Sequence, residues 1–485
     1  MLNLKIIAKI LGTLLLLEAL LLLTCLGVGL LYHESDYASF VYPALLSLGL
    51  AGGLKYFGRK AENRMGRRDG YLIVSLTWII FSFIGALPFM IGGYEDRFAC
   101  AFFESMSGFT TTGASIFNNI DALPHSILFW RSISHWFGGM GIVFFTIALL
   151  PQIGMGDLKL FSAEATGLKT GKLHPRISTT ARWLWGLYLF LTAVCSASLW
   201  LGGMNLFDAI NHGMSTVATG GFSTHQDSLA FFQSPSLEYI VSFFMILSGI
   251  NFTLLYLLIV KRRWREVFED GELKYYLALI AFCIVYCTAI LYFVDGYELE
   301  NAFRAATFQV SSMGTTTGFT TENYMSWHHS TWFLILFISL VGGCAGSTSG
   351  GVKAVRIYTA YKYLVNEFKR ILHPRAVIPI RLNHSVVNPT IVQSIFSYFT
   401  AMFVLLFIAS VAMMCLGVPM LDAVCLGITA FSNTGPSIGW LVGPPDSWGV
   451  LSDPVLWINS FLMLAGRLEI FSLLLPFAPA FWKEQ

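Results

Sequence analysis

Four times along this 485-residue chain a glycine-centred word falls between two long apolar runs. The words read Thr111-Thr112-Gly113-Ala114-Ser115, Thr219-Gly220-Gly221-Phe222-Ser223, Thr316-Thr317-Gly318-Phe319-Thr320 and Asn433-Thr434-Gly435-Pro436-Ser437. Twelve positions before the aligned glycines stand Ala101, Ala209, Ala306 and Ala423, and six before stand Ser107, Ser215, Ser312 and Thr429. That agreement selects Gly221 rather than Gly220 as the aligned glycine of the second word. A period of roughly a hundred residues implies four similar units about one axis. An extended loop aims successive carbonyls at an axis only with unusual backbone angles, which glycine adopts without a Cβ clash. Thr, Ser and Asn add hydroxyl or amide oxygens. Four such loops can replace the water of a dehydrated cation, which is the geometry of a selectivity filter. The blander alternative is four tight turns that end re-entrant helices.

The composition places the chain in a bilayer. Only 12% of residues are charged and 55% are hydrophobic, against roughly 25% charged in soluble proteins. Ten apolar segments are expected to span, at about 4–32, 37–57, 71–94, 127–150, 180–203, 236–260, 274–295, 331–358, 391–417 and 455–481. A shorter segment ending in one of the words lies between the third and fourth, fifth and sixth, seventh and eighth, and ninth and tenth. The expected architecture is an all-α polytopic membrane protein. Two leading helices (1–70) precede four helix, pore helix, loop, helix repeats (71–155, 156–265, 266–382 and 383–485) around a pseudo-fourfold pore. The apolar run after Lys5 is too long for a signal-peptide core and reads as a retained helix. The eight cysteines lie mostly inside apolar runs and form no CxxC pair, so neither a metal framework nor a disulfide framework is expected. A net charge of +2 points to no nucleic-acid partner.

Charge orients the chain. Lys55, Arg59, Lys60, Arg64, Arg67 and Arg68, then Lys159, Lys169, Lys172, Arg176 and Arg182, then Lys261, Arg262, Arg263 and Arg265, and finally Lys362, Lys369, Arg370, Arg375 and Arg381 fall on one side. The positive-inside rule makes that side and both termini cytoplasmic. The opposite loops carry acids such as Glu34, Asp121, Asp208 and Asp446, which either gather cations at an outer mouth or are simply solvated.

The second helix of the third repeat is interrupted by Gly342-Gly343-Cys344-Ala345-Gly346-Ser347-Thr348-Ser349-Gly350-Gly351. Glycine costs about 1 kcal/mol per residue in a helix, and unwound backbone at membrane depth must be buried in protein or line water. The stretch is expected to obstruct the pore below the words as an intramembrane gate, with Gly343, Gly346, Ser347, Thr348, Ser349, Gly350 and Lys353 as its residues. Lys353 alternatively snorkels to the cytoplasmic surface. A phosphate loop does not fit, because the lysine is displaced and no hydroxyl follows it. Arg467, mid-way along the last apolar segment, either hinders cation passage below the filter, braced by the gate, or ties helices together. Glu469 is not its obvious partner. Only the third second helix reads as broken, and only the fourth as carrying a mid-membrane arginine. Glu104 either balances a charge near the filter or bonds backbone. His135, His212 and His328-His329 read as interfacial. No Ser/His/Asp set or carboxylate pair recurs, so no enzyme is expected.

These words, the Ser134-His135-Trp136-Phe137-Gly138-Gly139-Met140-Gly141 stretch, the two leading helices and the interrupted helix together resemble the Trk/Ktr/HKT superfamily of potassium transporters. The bacterial TrkH type is the most similar branch. The resemblance covers essentially the whole chain. It implies K⁺ as the transported ion, no organic cofactor in this chain, and residence in the bacterial inner membrane. K⁺ would meet Thr111, Thr112 and Gly113, then Thr219, Gly220 and Gly221, then Thr316, Thr317 and Gly318, and last Asn433, Thr434 and Gly435. Glycine rather than serine at 113 implies K⁺ rather than Na⁺. The resemblance also implies a homodimer and a separate TrkA-like cytosolic NAD/ATP-binding subunit. The basic loops would dock that subunit or anionic membrane lipid. A carrier of Na⁺ or NH₄⁺ on the same scaffold is the alternative.

Overall fold

The computed structural model describes residues 2–61, 66–149, 177–383 and 385–483. Arg64, Lys159, Lys169, Lys172 and Arg176, five of the charges that orient the sequence, lie outside the described residues. The leading helices α1 (Leu4–Leu31) and α2 (Ala38–Phe57) pack along each other. Small residues let them approach: a side chain on Gly12 would come within 2.9 Å of the Ala51 carbonyl. Ser47 Oγ donates to the Leu15 carbonyl at 2.8 Å.

One pattern then recurs: a long helix, a short helix, a word and a second helix. The first set is α3 (Arg67–Ile91), α4 (Phe98–Phe109) and α5 (His125–Leu149). The second is α6 (Ile177–Leu201), α7 (Leu206–Val217), α8 (Pro235–Ser248) and α9 (Phe252–Ile259). The third is α10 (Gly271–Phe293), α11 (Leu299–Gly314), α12 (His329–Val341) and α13 (Ala354–Leu372). The fourth is α14 (Pro389–Cys415), α15 (Met420–Ser432) and α16 (Asp453–Arg467). A two-residue antiparallel pair, Arg381–Leu382 with Ser385–Val386, is the sheet found among the described residues. The chain is thus an all-α polytopic membrane protein. Among the described residues, six helices are long and apolar enough to cross a bilayer, or eight if each of two bent pairs is one span. The other two expected segments are α5 and α12.

The short helices hold 12 to 16 residues, about 18–24 Å at 1.5 Å per residue, half a bilayer. Their matched small residues are the reason they converge. Ala101, Ala209, Ala306, Ala423, Ser107, Ser215, Ser312 and Thr429 are all fully buried.

The expectation that one second helix is broken is corrected. Three are. The α8–α9 pair bends by 104° at Gly249-Ile250-Asn251, and α16 turns by 115° into Phe471–Phe477. At the first break Asn251 caps α9 by accepting from Thr253 N at 2.7 Å, a glycine-then-cap signal that the sequence does carry. At the second break Glu469 and Ile470 have φ of 57° and 46°. No glycine marks that place, so local propensity gives no warning and packing imposes the turn.

Glycines also let second helices touch short ones. A side chain on Gly138 would strike the Phe109 carbonyl, and one on Gly466 the Phe431 carbonyl. Gly138→Val should therefore destabilise the detergent-solubilised protein by about 1–3 kcal/mol, the cost of overpacking. Thermal unfolding checks this; a wild-type melting curve would contradict the close approach.

Candidate functional site

Each short helix ends in the same turn. Thr112 N donates to Ser107 O at 2.9 Å, Gly220 N to Ser215 O at 2.9 Å, Thr317 N to Ser312 O at 2.8 Å and Thr434 N to Thr429 O at 3.0 Å. This six-to-one bond is the Schellman closure, which needs a left-handed residue just before the donor. Thr111, Thr219, Thr316 and Asn433 occupy that place, with φ of 55°, 54°, 56° and 57°. Asparagine tolerates this conformation, but a β-branched threonine does so at a cost of about 1–2 kcal/mol. Two residues on, Gly113, Gly221, Gly318 and Gly435 are left-handed again, with φ of 82°, 87°, 85° and 88°. Alternation of left- and right-handed residues turns successive carbonyls to one side of the strand.

The four words close into a ring. A Cβ added to Gly113 would strike the Gly220 carbonyl, one on Gly221 the Thr317 carbonyl, and one on Gly318 the Thr434 carbonyl. One on Gly435 would lie 2.6 Å from the Thr112 carbonyl. The four aligned glycines, Gly221 among them, stand in equivalent places. Buried oxygens are left over here: Thr111 Oγ1 and Asn433 Oδ1 have no hydrogen-bond partner. No group of three His, Cys, Asp or Glu among the described residues is placed to hold a metal ion, so what the ring offers is backbone, hydroxyl and amide oxygen.

Behind the first word lies a buried ion pair. Arg131 Nε donates to Glu104 Oε1 at 2.8 Å, and both side chains are inaccessible. Glu104 also accepts from Ile116 N at 2.8 Å and Ser115 Oγ at 3.1 Å. Arg131 Nη1 reaches across to the Ser223 carbonyl at 2.9 Å, with its guanidinium 4.2 Å above the Phe222 ring. Glu104 thus both balances a charge, that of Arg131, and bonds backbone. His135 and His212, expected at interfaces, are fully buried instead. His212 Nε2 sits 2.9 Å from Ser223 Oγ. Glu104 and His212 lie nine positions before Gly113 and Gly221, a register that could have singled them out.

On the acidic face the ring opens into a cavity of about 70 Å³ lined by the glycines, Arg131, His225 and Asp446. Of the acids expected at the mouth, Asp446 alone lines it. Others are tied up in pairs: Asp453 with Arg97, Glu34 with His125, and Asp121 and Asp208 with His225 at 2.7 and 3.2 Å. Burial disfavours a charge on His225, but hydrogen bonds to Asp208 and Asp121 outweigh it and raise its pKa above the ordinary histidine value.

On the other side of the ring the interrupted segment is packed solid. Ser347, Thr348 and Ser349 are buried. Thr348 Oγ1 donates to the Val217 carbonyl at 2.9 Å, Gly350 N to Thr316 Oγ1 at 2.6 Å, and Gly351 N to the Ser432 carbonyl at 2.9 Å. Arg467 completes the set, donating to the Thr348 carbonyl at 3.1 Å and to the Gly138 carbonyl at 2.9 Å. The segment thus touches all four sets of helices, directly or through Arg467. Gly343 N is held by Ser349 Oγ at 2.9 Å, and Phe252 N by the Gly346 carbonyl at 3.0 Å. Lys353 is buried against the Ser349 carbonyl, not snorkelling. Glu469 pairs with Arg356 at 2.6 Å rather than with Arg467. Sequence reasoning missed Glu272, whose Oε1 accepts from Ala345 N at 2.6 Å.

A polytopic helical membrane protein built round a ring of backbone carbonyls is the class these features define. The chain belongs to the TrkH family of cation transport proteins, whose family model matches residues 43–484. It is 37% identical over 485 residues to the Trk system potassium uptake protein TrkH of Halomonas elongata, covering 99% of this chain and 100% of that one. It is also 37% identical over 460 residues to TrkH of Salmonella typhimurium, covering 94% and 95%. With TrkG of Escherichia coli the identity is 33% over 486 residues and 99% of each chain. The crystal structure of the potassium transporter TrkH from Vibrio parahaemolyticus matches with a TM-score of 0.89 at 35% identity, covering 99% of both chains.

Glu104→Ala would leave Arg131 buried without its counter-charge, a loss of about 3–5 kcal/mol. Thermal unfolding should show it, and adding Arg131→Met should recover part. A single variant as stable as wild type would mean that the pair braces nothing.

Proposed function

We propose that this protein takes up K⁺ across the bacterial inner membrane through a selectivity filter made of the four words. The carrying observation is the ring in which each aligned glycine abuts a carbonyl of the next word. A K⁺ ion shed of water in the outer cavity would exchange its hydration for carbonyls of the words. The C-terminal ends of α4, α7, α11 and α15 add negative potential there. The relatives named as potassium uptake proteins support K⁺ as the ion.

Beneath the filter, residues 342–353 with Arg467 act as a closed gate. The segment's bonds to Val217, Thr316 and Ser432 would have to break together for the path to open. Each is worth about 1 kcal/mol net, so together they hold the segment in place by a few kcal/mol. Differential binding of a partner can shift such a balance. The segment runs straight into α13, whose exposed end carries Lys369 and Arg370. A cytosolic nucleotide-binding subunit docked on that basic face would therefore pull on the gate directly. The relatives' names place them in Trk systems, which fits a separate regulatory partner.

Expression in a bacterium lacking K⁺ uptake should restore growth at low K⁺, and Gly318→Ala should lower the K⁺-over-Na⁺ flux ratio roughly tenfold, ~1.4 kcal/mol. Well-expressed protein that gives no rescue, or rescues with Na⁺ or NH₄⁺ instead, would overturn the K⁺ reading. Deleting residues 345–350 should raise ion flux into proteoliposomes several-fold; unchanged flux would remove the gate.

A further inference from the structure

The four words are not built alike behind their carbonyls. In three of them a pair of hydroxyls backs the strand. Thr110 Oγ1 lies 2.8 Å from Thr112 Oγ1, Thr315 Oγ1 2.7 Å from Thr317 Oγ1, and Ser432 Oγ 2.7 Å from Thr434 Oγ1. The second word has Ala218 and Gly220 at those two places and so has no hydroxyl to offer. Something else fills the space. The imidazole of His135, carried by α5 of the neighbouring set, lies where a side chain on Gly220 would go: an added Cβ there would run into the ring and lie 2.8 Å from its Cε1. The ring is fully buried. It stacks on Phe222 of the same word, with centroids 4.0 Å apart and planes 12° from parallel. Its Nδ1 lies 3.1 Å from Ser215 Oγ and receives the Phe222 N–H at 3.4 Å. The Phe222 N–H is aimed at Nδ1, which can serve as its acceptor. One imidazole therefore fills the volume and makes the link to the short helix that the hydroxyl pair supplies elsewhere, and it adds an acceptor for the Phe222 N–H.

We propose that His135 is a positioning residue for the ion selectivity of this protein, standing in for the missing hydroxyl pair behind the second word. It touches no ion. It acts by fixing the backbone from Gly220 to Phe222, and with it the carbonyl of Gly220 that abuts Gly113 in the ring. Gly220 is glycine for the reciprocal reason: any side chain there displaces the imidazole. The inference rests on the filter reading of the words.

The test is the K⁺-over-Na⁺ flux ratio of purified protein in proteoliposomes, measured together with total flux and thermal unfolding. His135→Ala should lower the ratio roughly fivefold or more, the effect of one lost anchoring hydrogen bond on a ring of fixed size. His135→Phe, which keeps the volume without the acceptor, should fall likewise. His135→Asn, whose amide oxygen can accept from Phe222 N, should keep most of the ratio. Gly220→Ala should lower the ratio by pushing on the ring, and His135→Phe decides the matter if His135→Ala does not fold. A wild-type ratio in His135→Ala or in Gly220→Ala overturns the proposal, as does a fall in stability and total flux with the ratio unchanged. Gly318→Ala separates this failure from failure of the filter reading. If that variant alters the ratio and His135→Ala does not, only the role of His135 is lost; if neither does, the words are not the filter.

Discussion

Backbone groups released from a helix inside a membrane protein must be paired again within the protein, and in this chain the interrupted helices pair with one another. Gly249, at the break between α8 and α9, accepts from Cys344 N at 2.8 Å, and Phe252 N donates to the Gly346 carbonyl. The turn after α16 is tied to the start of α13 by Arg356 and Glu469, and to the unwound segment by Arg467. Three local defects become one buried network. The position of the segment against the ring, and with it the floor beneath the four words, depends on all three at once.

The ring stores strain of a different kind. Three threonines sit in a left-handed conformation that their branched side chains oppose. The turn persists because each helix end needs its closing bond and because the words are backed, by hydroxyl pairs in three of them and by the imidazole of His135 in the second. The aligned glycines take the second left-handed place, where a Cβ would meet the adjoining word.

Charge inside the molecule is handled in two opposite ways. Arg131 is neutralised by Glu104 at hydrogen-bond distance and holds the outer ends of two words together. Arg467 has no ion pair among the described residues; two carbonyls receive its guanidinium, and its Nε is left without a partner. Burying an uncompensated charge is costly. It sits beneath the ring, against the segment it holds.

Much of this was legible in the residues themselves. Apolar run lengths, matched alanines and serines, and repeated glycines specify helices, close packing and a left-handed backbone wherever they occur, because those are local consequences of side-chain size and hydropathy. The glycine-rich stretch announced an unwound helix for the same reason. Partners were not legible. That Glu104 meets Arg131, that His135 is buried behind Gly220, that Glu272 holds Ala345 and that α16 turns at Glu469 without a glycine are facts of which helix lies beside which. They rest on contacts between residues far apart in the chain, where no spacing rule operates, and only the tertiary structure could decide them.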